Sequence, residues 1–166
     1  MQQQVPQLRF ATTRLASGPR VHYAEQGDPS GEPIVFLPAY TDSWFSYSRI
    51  LPLLPARYHA YALDQRGHGD SERPDCCYTV EDFAGDVVAF LDAVGVGRAT
   101  LVGHSASCLV ARRVAEVHPE RVARLVLSGS PAGSLPTQVK LGLQATVRAL
   151  ADPRLAGCCR WPSRLR

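Results

Sequence analysis

The hydrophobic pattern of this chain alternates between short apolar runs and longer stretches with helical spacing. The apolar runs at 34–37, 59–63, 100–102 and 122–127 predict four strands. The first of them is apolar without interruption, which is typical of a strand covered on both faces. Each run is followed by turn-forming residues or by a stretch with helical periodicity.

The clearest helix begins at Thr79. Apolar side chains then recur at helical spacing, and Thr79 and Asp82 form the sequence pattern of a capping box. Gly95 is the expected end of this helix. Further helices are predicted at 43–54, from about residue 106 to His118, and at 137–150.

Together these elements define the expected fold class. Two β-like runs at 9–15 and 21–25 predict an antiparallel hairpin at the start of the chain. The alternation of strands and helices then predicts an α/β fold with a doubly wound, mostly parallel sheet. We expect residues 1–150 to form this domain, and residues 151–166, which lack periodicity, to form an irregular tail.

Composition narrows the choice of function. The 166 residues are 45 % hydrophobic and 20 % charged with a net charge of +3, as in a soluble globular protein. The arginines are scattered, so nothing predicts nucleic-acid binding. No apolar run could span a bilayer and the first residues do not resemble a signal peptide, so we expect a cytoplasmic protein.

The cysteines do not predict a metal site or a disulfide framework. Their number is odd, at five, and no C-x-x-C motif occurs. Cys108 is expected to be a small buried side chain. No metal or cofactor is predicted.

The candidate chemistry centres on Ser105. The sequence Gly103-His104-Ser105-Ala106-Ser107 lies between an apolar run and a helix. A strand that turns sharply into a helix exposes the residue at the turn and directs the first free helix N–H groups toward it. This arrangement suits a nucleophile. An ordinary strand-to-helix turn is the alternative interpretation of this motif alone.

Three ordered motifs give the chain a family resemblance. The segment 36–44 resembles the loop L-H-G-[FY]-x-x-S-W of α/β-hydrolase fold enzymes, and the segment 64–71 matches their loop D-x-R-G-x-G-x-S. The segment 103–107 lies where their elbow G-H-S-x-G lies. The resemblance covers about residues 10 to 133 and implies an α/β-hydrolase of the serine branch.

The resemblance implies roles for particular residues. Ser105 would be the nucleophile, and the backbone N–H groups of Tyr40 and Ala106 would form the oxyanion hole. Asp64 and Arg66 would hold their loop. The serine would point to a small-molecule substrate in which an ester, lactone, amide or carbon–carbon bond is hydrolysed. It argues against the dehalogenase and epoxide-hydrolase branches of this fold, which use aspartate in place of serine.

The sequence departs from the family pattern at two loops. Pro38-Ala39 replaces His-Gly in the oxyanion loop, and Ser107 replaces the last glycine of the elbow. Proline removes a backbone donor and fixes φ. We therefore expect some displacement of the oxyanion loop.

A further departure is that the acid and the histidine of the family are not found at their expected positions after Ser105. In the family they follow the nucleophile in the order acid, then histidine. After Ser105 the only histidine is His118, at the far end of the next helix. The later acids, none placed after a strand as expected, are Glu116, Glu120 and Asp152. Of the remaining histidines, only His68 is expected at the same edge of the sheet as Ser105. We interpret it as a turn residue and not as the catalytic base.

These departures suggest an α/β-hydrolase cut short, for instance by a frameshift, and inactive as it stands. The missing last strands would leave the strand at 122–127 as an unprotected edge, which favours self-association. The alternative is a non-catalytic binding protein that keeps the elbow as a pocket. A nucleotide-binding domain has little support, because no G-x-G-x-x-G follows a strand and the only lysine is Lys140.

Overall fold

The computed structural model of the protein describes residues 8–130. The helix predicted at 137–150, the tail at 151–166 and the boundary between them lie outside these residues. The six strands of the described part are β1 (Arg9–Arg14), β2 (Arg20–Gln26), β3 (Glu32–Leu37), β4 (Tyr58–Leu63), β5 (Ala99–His104) and β6 (Val122–Ser128).

All six strands belong to one sheet in the order β1-β2-β4-β3-β5-β6. The hairpin β1–β2 is antiparallel, and β2 joins β4 in antiparallel orientation. The strands β4, β3, β5 and β6 run parallel to one another. The predicted fold class, a mostly parallel sheet with an antiparallel N-terminal hairpin, is confirmed.

In the described part of the chain two α-helices pack on the sheet, α1 (Val80–Ala93) and α2 (Ser107–Val117). The predicted capping box at the start of α1 is present, because the Thr79 hydroxyl accepts from the Asp82 N–H and the Asp82 carboxylate accepts from the Thr79 N–H. Gly95 follows the helix with φ +70°, a backbone conformation that suits glycine.

The single helix predicted at 43–54 is wrong. The structure has two short 3₁₀ helices there, Trp44–Tyr47 and Leu51–Leu53. Pro52 explains the break, since proline has no N–H to donate and its ring clashes with the carbonyl four residues earlier. Ser43 does cap the first of these helices, because its hydroxyl accepts from the Phe45 N–H at 3.3 Å.

The sheet buries apolar side chains on both faces. One face packs against α1 and α2, with Phe90, Leu91 and Leu101 fully buried. The opposite face packs against the two 3₁₀ helices through Tyr47 and Leu51. The central strands are therefore covered on both sides, as their apolar character predicts.

β6 lies at the edge of the sheet and remains exposed. Within the described residues it pairs with β5 along one side only. Leu125, Val126 and Leu127 keep 36, 46 and 40 % of their surface accessible. Within residues 8–130, β6 is therefore an edge strand that carries three consecutive exposed apolar side chains.

The cysteines close no loop of the fold within residues 8–130. Cys76 and Cys77 form a disulfide between adjacent residues, and Cys108 is a free, buried thiol. The expected burial of Cys108 is confirmed. Over the same part of the chain, no helix is both long and apolar enough to cross a membrane.

Candidate active site at the carboxyl edge of the sheet

The turn at Ser105 joins β5 to α2. Ser105 has φ +52°, in the left-handed region that non-glycine residues rarely adopt. Its N–H donates to the Ser128 carbonyl at 2.9 Å, and its own carbonyl accepts from the Cys108 N–H at 3.0 Å. These bonds hold the strained conformation between strand and helix. The predicted strand-turn-helix geometry is confirmed.

Gly103 allows this turn to pack tightly. A Cβ at this position would lie 2.7 Å from the Ser107 carbonyl oxygen and 2.9 Å from the Cys108 Cα. Both contacts are with the backbone of the first turn of α2, which cannot move without displacing the helix. The first glycine of the elbow motif is therefore required by the close approach of strand and helix.

The beginning of α2 provides backbone donors beside Ser105. The first N–H groups of a helix have no acceptor within it. In the first turn of α2 the Cys108 and Leu109 N–H groups donate back to the Ser105 and Ala106 carbonyls. The Ala106 N–H precedes these two donors and directly follows Ser105 in the chain, so it is the candidate donor to an oxyanion.

The loop after β3 carries Tyr40. Pro38 is buried, and the following residues form a turn in which the Asp42 N–H donates to the Ala39 carbonyl at 3.1 Å. Thr41 completes this turn with φ +71°. The Tyr40 ring meets the His68 ring edge to face at 5.3 Å. This contact joins the loop after β3 to the loop after β4.

Asp64 connects the neighbouring segments at this edge of the sheet. Its carboxylate is 1 % exposed and accepts from the Trp44 N–H at 2.7 Å, from His22 Nδ1 at 2.8 Å and from the Asp70 N–H at 3.0 Å. Gly69 has φ +49° and no room for a Cβ beside this carboxylate. The loop-holding role expected for Asp64 is consistent with these contacts.

Arg66 fixes the same loop to α1. Its guanidinium donates to both carboxylate oxygens of Asp86, at 2.5 and 2.6 Å, and to the Cys77 carbonyl at 2.5 Å. The Ser17 hydroxyl also donates to Asp86. A two-point bond between a guanidinium and a carboxylate fixes both groups in position. Arg66 is thus engaged in structural contacts.

The imidazole of His68 is held toward its neutral form by its surroundings. Burial is the main cause that lowers its pKa, while a bond to the Arg66 carbonyl opposes the shift. Nδ1 lies 2.8 Å from that carbonyl oxygen. Because a carbonyl only accepts, Nδ1 carries the proton and Nε2 keeps its lone pair.

The structure separates His118 from Ser105. His118 caps the far end of α2 and its ring faces Glu120 at 3.5 Å. The helix between them has 11 residues, which is about 16 Å at 1.5 Å per residue. Glu116 and Glu120 lie at the same far end, and Asp152 is outside the described residues. Among residues 8–130, His118 and these two glutamates are not brought to the elbow.

Two sets of contacts are not predictable from local sequence patterns. The pairing of His22 with Asp64 is one, and no local pattern signals it because 42 residues separate the two. The bonds of Ser107 and Gln65 to the Pro38 carbonyl are the other. For the second set, the sequence gives one indication, which is that two of the residues involved, Pro38 and Ser107, are positions that depart from the family pattern.

Comparisons with known proteins agree with this architecture. The family model described as alpha/beta hydrolase fold matches residues 32–155, so the chain belongs to the alpha/beta hydrolase fold family. The chain is 37 % identical over 114 residues to Epoxide hydrolase B of Mycobacterium tuberculosis, an alignment covering 66 % of this chain and 32 % of that protein.

Two further relatives extend the comparison. A non-heme chloroperoxidase of Streptomyces lividans is 35 % identical over 71 % of this chain and 44 % of its own length. The crystal structure of an epoxide hydrolase from Vigna radiata gives a TM-score of 0.72 at 30 % identity, covering 84 % of this chain and 46 % of that one. The chain thus spans about a third to a half of the length of these relatives.

The close approach at Gly103 makes a first prediction. Gly103→Ala should lower the free energy of unfolding by roughly 1–3 kcal/mol, because the new methyl group must displace the backbone of α2. Urea unfolding followed by circular dichroism measures the change. Gly85→Ala is the matched control, since a Cβ there meets nothing within 4 Å. This substitution should raise the free energy of unfolding by about 1 kcal/mol, because alanine favours the helical conformation of α1 more than glycine does. Equal effects of the two substitutions would contradict the packing argument.

The His22–Asp64 pair makes a second prediction. The hydrogen bond to Asp64 is the main cause that raises the pKa of His22 above 6.5, against the opposing effect of burial. A raised folded-state pKa means that protonated His22 stabilises the fold below about pH 6.5, and that this contribution is lost as pH rises through the higher folded-state value. The stability difference between the parent and His22→Asn should therefore be largest at about pH 5–6 and shrink above neutrality. Urea unfolding across this pH range tests it, and a difference that grows with pH would refute it.

Proposed function

We propose that the chain carries the nucleophile of a cytoplasmic serine hydrolase that acts on an ester, a lactone or a similar acyl bond. The observation that carries the proposal is the conformation of Ser105. It has φ +52° between β5 and α2, in a turn whose packing requires Gly103. Strain of this kind at a polar residue is characteristic of functional sites.

The proposed oxyanion hole uses two backbone N–H groups. Ala106 N–H lies at the start of α2, where the helix dipole also favours negative charge. Tyr40 N–H lies in the turn that follows Pro38. Donors fixed before the reaction stabilise a tetrahedral oxyanion without reorganising, which is the largest contribution in many acyl-transfer enzymes.

Serine chemistry favours an acyl substrate over an epoxide. A carboxylate that attacks an epoxide carbon forms an ester, and water can then release the enzyme. A serine hydroxyl that attacks the same carbon forms an ether, which water does not cleave under these conditions. Attack on an acyl carbon gives an acyl-serine ester that can be hydrolysed. Ser105 therefore supports acyl hydrolysis, although two of the relatives described above are named epoxide hydrolases.

We propose that the 166-residue chain does not itself turn over such a substrate. Serine needs a base to take its proton. His118 lies at the opposite end of α2, and no histidine follows it in the sequence. The base and its acid would belong to a part of a longer protein that this sequence does not include. A binding protein that keeps the elbow as a pocket is the alternative function.

The activity of Ser105 is the third prediction. The 166-residue chain should hydrolyse p-nitrophenyl acetate no faster than Ser105→Ala, because in the serine protease subtilisin loss of the base alone lowers turnover by about six orders of magnitude. A chain extended by the downstream coding sequence, if that supplies an acid and a histidine, should exceed its own Ser105→Ala variant by several orders of magnitude. Release of p-nitrophenol measures both.

Ser46→Ala is the matched control for this experiment, because Ser46 is an exposed serine in the first 3₁₀ helix. An extended chain that carries both partners and still hydrolyses no faster than Ser105→Ala would support the binding protein. Ser105-dependent turnover by the 166-residue chain would refute the proposal that it lacks a base. His68→Ala would then test His68 as that base.

The exposed edge of β6 gives the fourth prediction. We propose that the chain associates with itself through this edge, because unpaired strands with apolar side chains readily accept another strand. Sedimentation velocity should show a concentration-dependent dimer or larger species. Val126→Lys should shift the distribution toward monomer, because a lysine on an edge strand opposes pairing. A parent chain that stays monomeric at high concentration would refute the proposal.

A further inference from the structure

The two departures from the family pattern are in direct contact. The Ser107 hydroxyl donates to the Pro38 carbonyl at 2.5 Å. Gln65 Nε2 donates to the Ser107 oxygen at 2.7 Å and to the same Pro38 carbonyl at 3.2 Å. The loop after β3, the loop after β4 and the first turn of α2 thus each contribute one residue to a single hydrogen-bonded group, named the Pro38 clasp.

The direction of each bond follows from the chemistry of the groups. The Pro38 carbonyl only accepts, so the single proton of the Ser107 hydroxyl points to it. The Ser107 oxygen then accepts from Gln65, whose NH₂ group has two protons and serves both partners. The Gln65 Oε1 atom is buried without a hydrogen-bond partner among residues 8–130. The amide is therefore held through its nitrogen.

Burial makes these bonds effective. Ser107 is 3 % exposed and Gln65 is 7 % exposed, and Pro38 is fully buried. In such surroundings water cannot replace a lost partner, so each donor matters more than at the surface. Pro38 has no N–H, so its carbonyl is the one backbone group through which this residue can be hydrogen bonded.

We propose that Ser107 and Gln65 are positioning residues that fix the loop 38–42, and with it the Tyr40 N–H, against the start of α2. Glycine at position 107 would lack the hydroxyl and leave Pro38 with the longer bond from Gln65 alone. Ser107 thus gives the Pro38 carbonyl a hydrogen bond that glycine at this position could not supply. A role of the Tyr40 N–H in binding an oxyanion rests on the proposed function of Ser105, whereas the hydrogen bonds of the clasp do not.

Amide hydrogen exchange tests the clasp in the 166-residue chain. The reporter is the Asp42 N–H, whose bond to the Ala39 carbonyl closes the loop turn. Loss of one neutral hydrogen bond should speed its exchange about five- to tenfold in Ser107→Ala and in Gln65→Met. The double variant removes both donors to Pro38 and should exceed either single variant. Amides of β3 and β5 should keep the parent rates.

Two controls separate the possible outcomes. Ser46→Ala makes the same change on an exposed serine near the loop and should leave the Asp42 rate unchanged. Ser105→Ala should also leave it unchanged, so a failure of the proposed nucleophile would not alter this result. An unchanged Asp42 rate in folded Ser107→Ala and Gln65→Met would overturn the proposal. Faster exchange throughout β3 and β5 in Ser107→Ala would also overturn it, because the effect would then be global.

Discussion

The carboxylate of Asp64 is the interaction on which the site edge of the sheet depends. It accepts hydrogen bonds from β2, from the segment after β3 and from its own loop. A buried carboxylate with several donors is stable only while all of them stay in place, because an unpaired buried charge is costly. This one side chain therefore joins three chain segments at the site edge, and its close approach to Gly69 explains why glycine is needed there.

The elbow is built on a different principle, that of close backbone packing. β5 and α2 meet at Gly103 with no space for a side chain, and the two residues between them form the turn. Ser105, the first residue of that turn, has a positive φ. Hydrogen bonds hold the loops after β3 and β4, and close backbone packing at Gly103 adds to the hydrogen bonds that hold the turn at Ser105. Ser107 connects the two regions, because its hydroxyl donates to the Pro38 carbonyl from the first residue of α2.

Local patterns are sufficient to predict most elements but not the polar contacts between them. The strands and α1 follow from apolar periodicity and from the Thr79 cap, both of which are short-range properties. The helix predicted at 43–54 is wrong because the effect of Pro52 on the backbone outweighs favourable apolar spacing. The bonds of Ser107 and Gln65 to Pro38 join segments 69 and 27 residues apart along the sequence. Only the folded sheet brings these groups together.

Position 105 illustrates how one scaffold can support different reactions. The backbone features around it, a strained turn and the first N–H groups of a helix, would stabilise negative charge whatever side chain attacks. The attacking group decides which covalent intermediate forms and whether water can release it. An acyl-serine ester meets that condition and a serine ether does not, so a nucleophile at Ser105, as proposed, would restrict the chemistry more than the sheet does. Similarity to proteins named epoxide hydrolases is thus compatible with a different substrate, because it reflects the scaffold that both share.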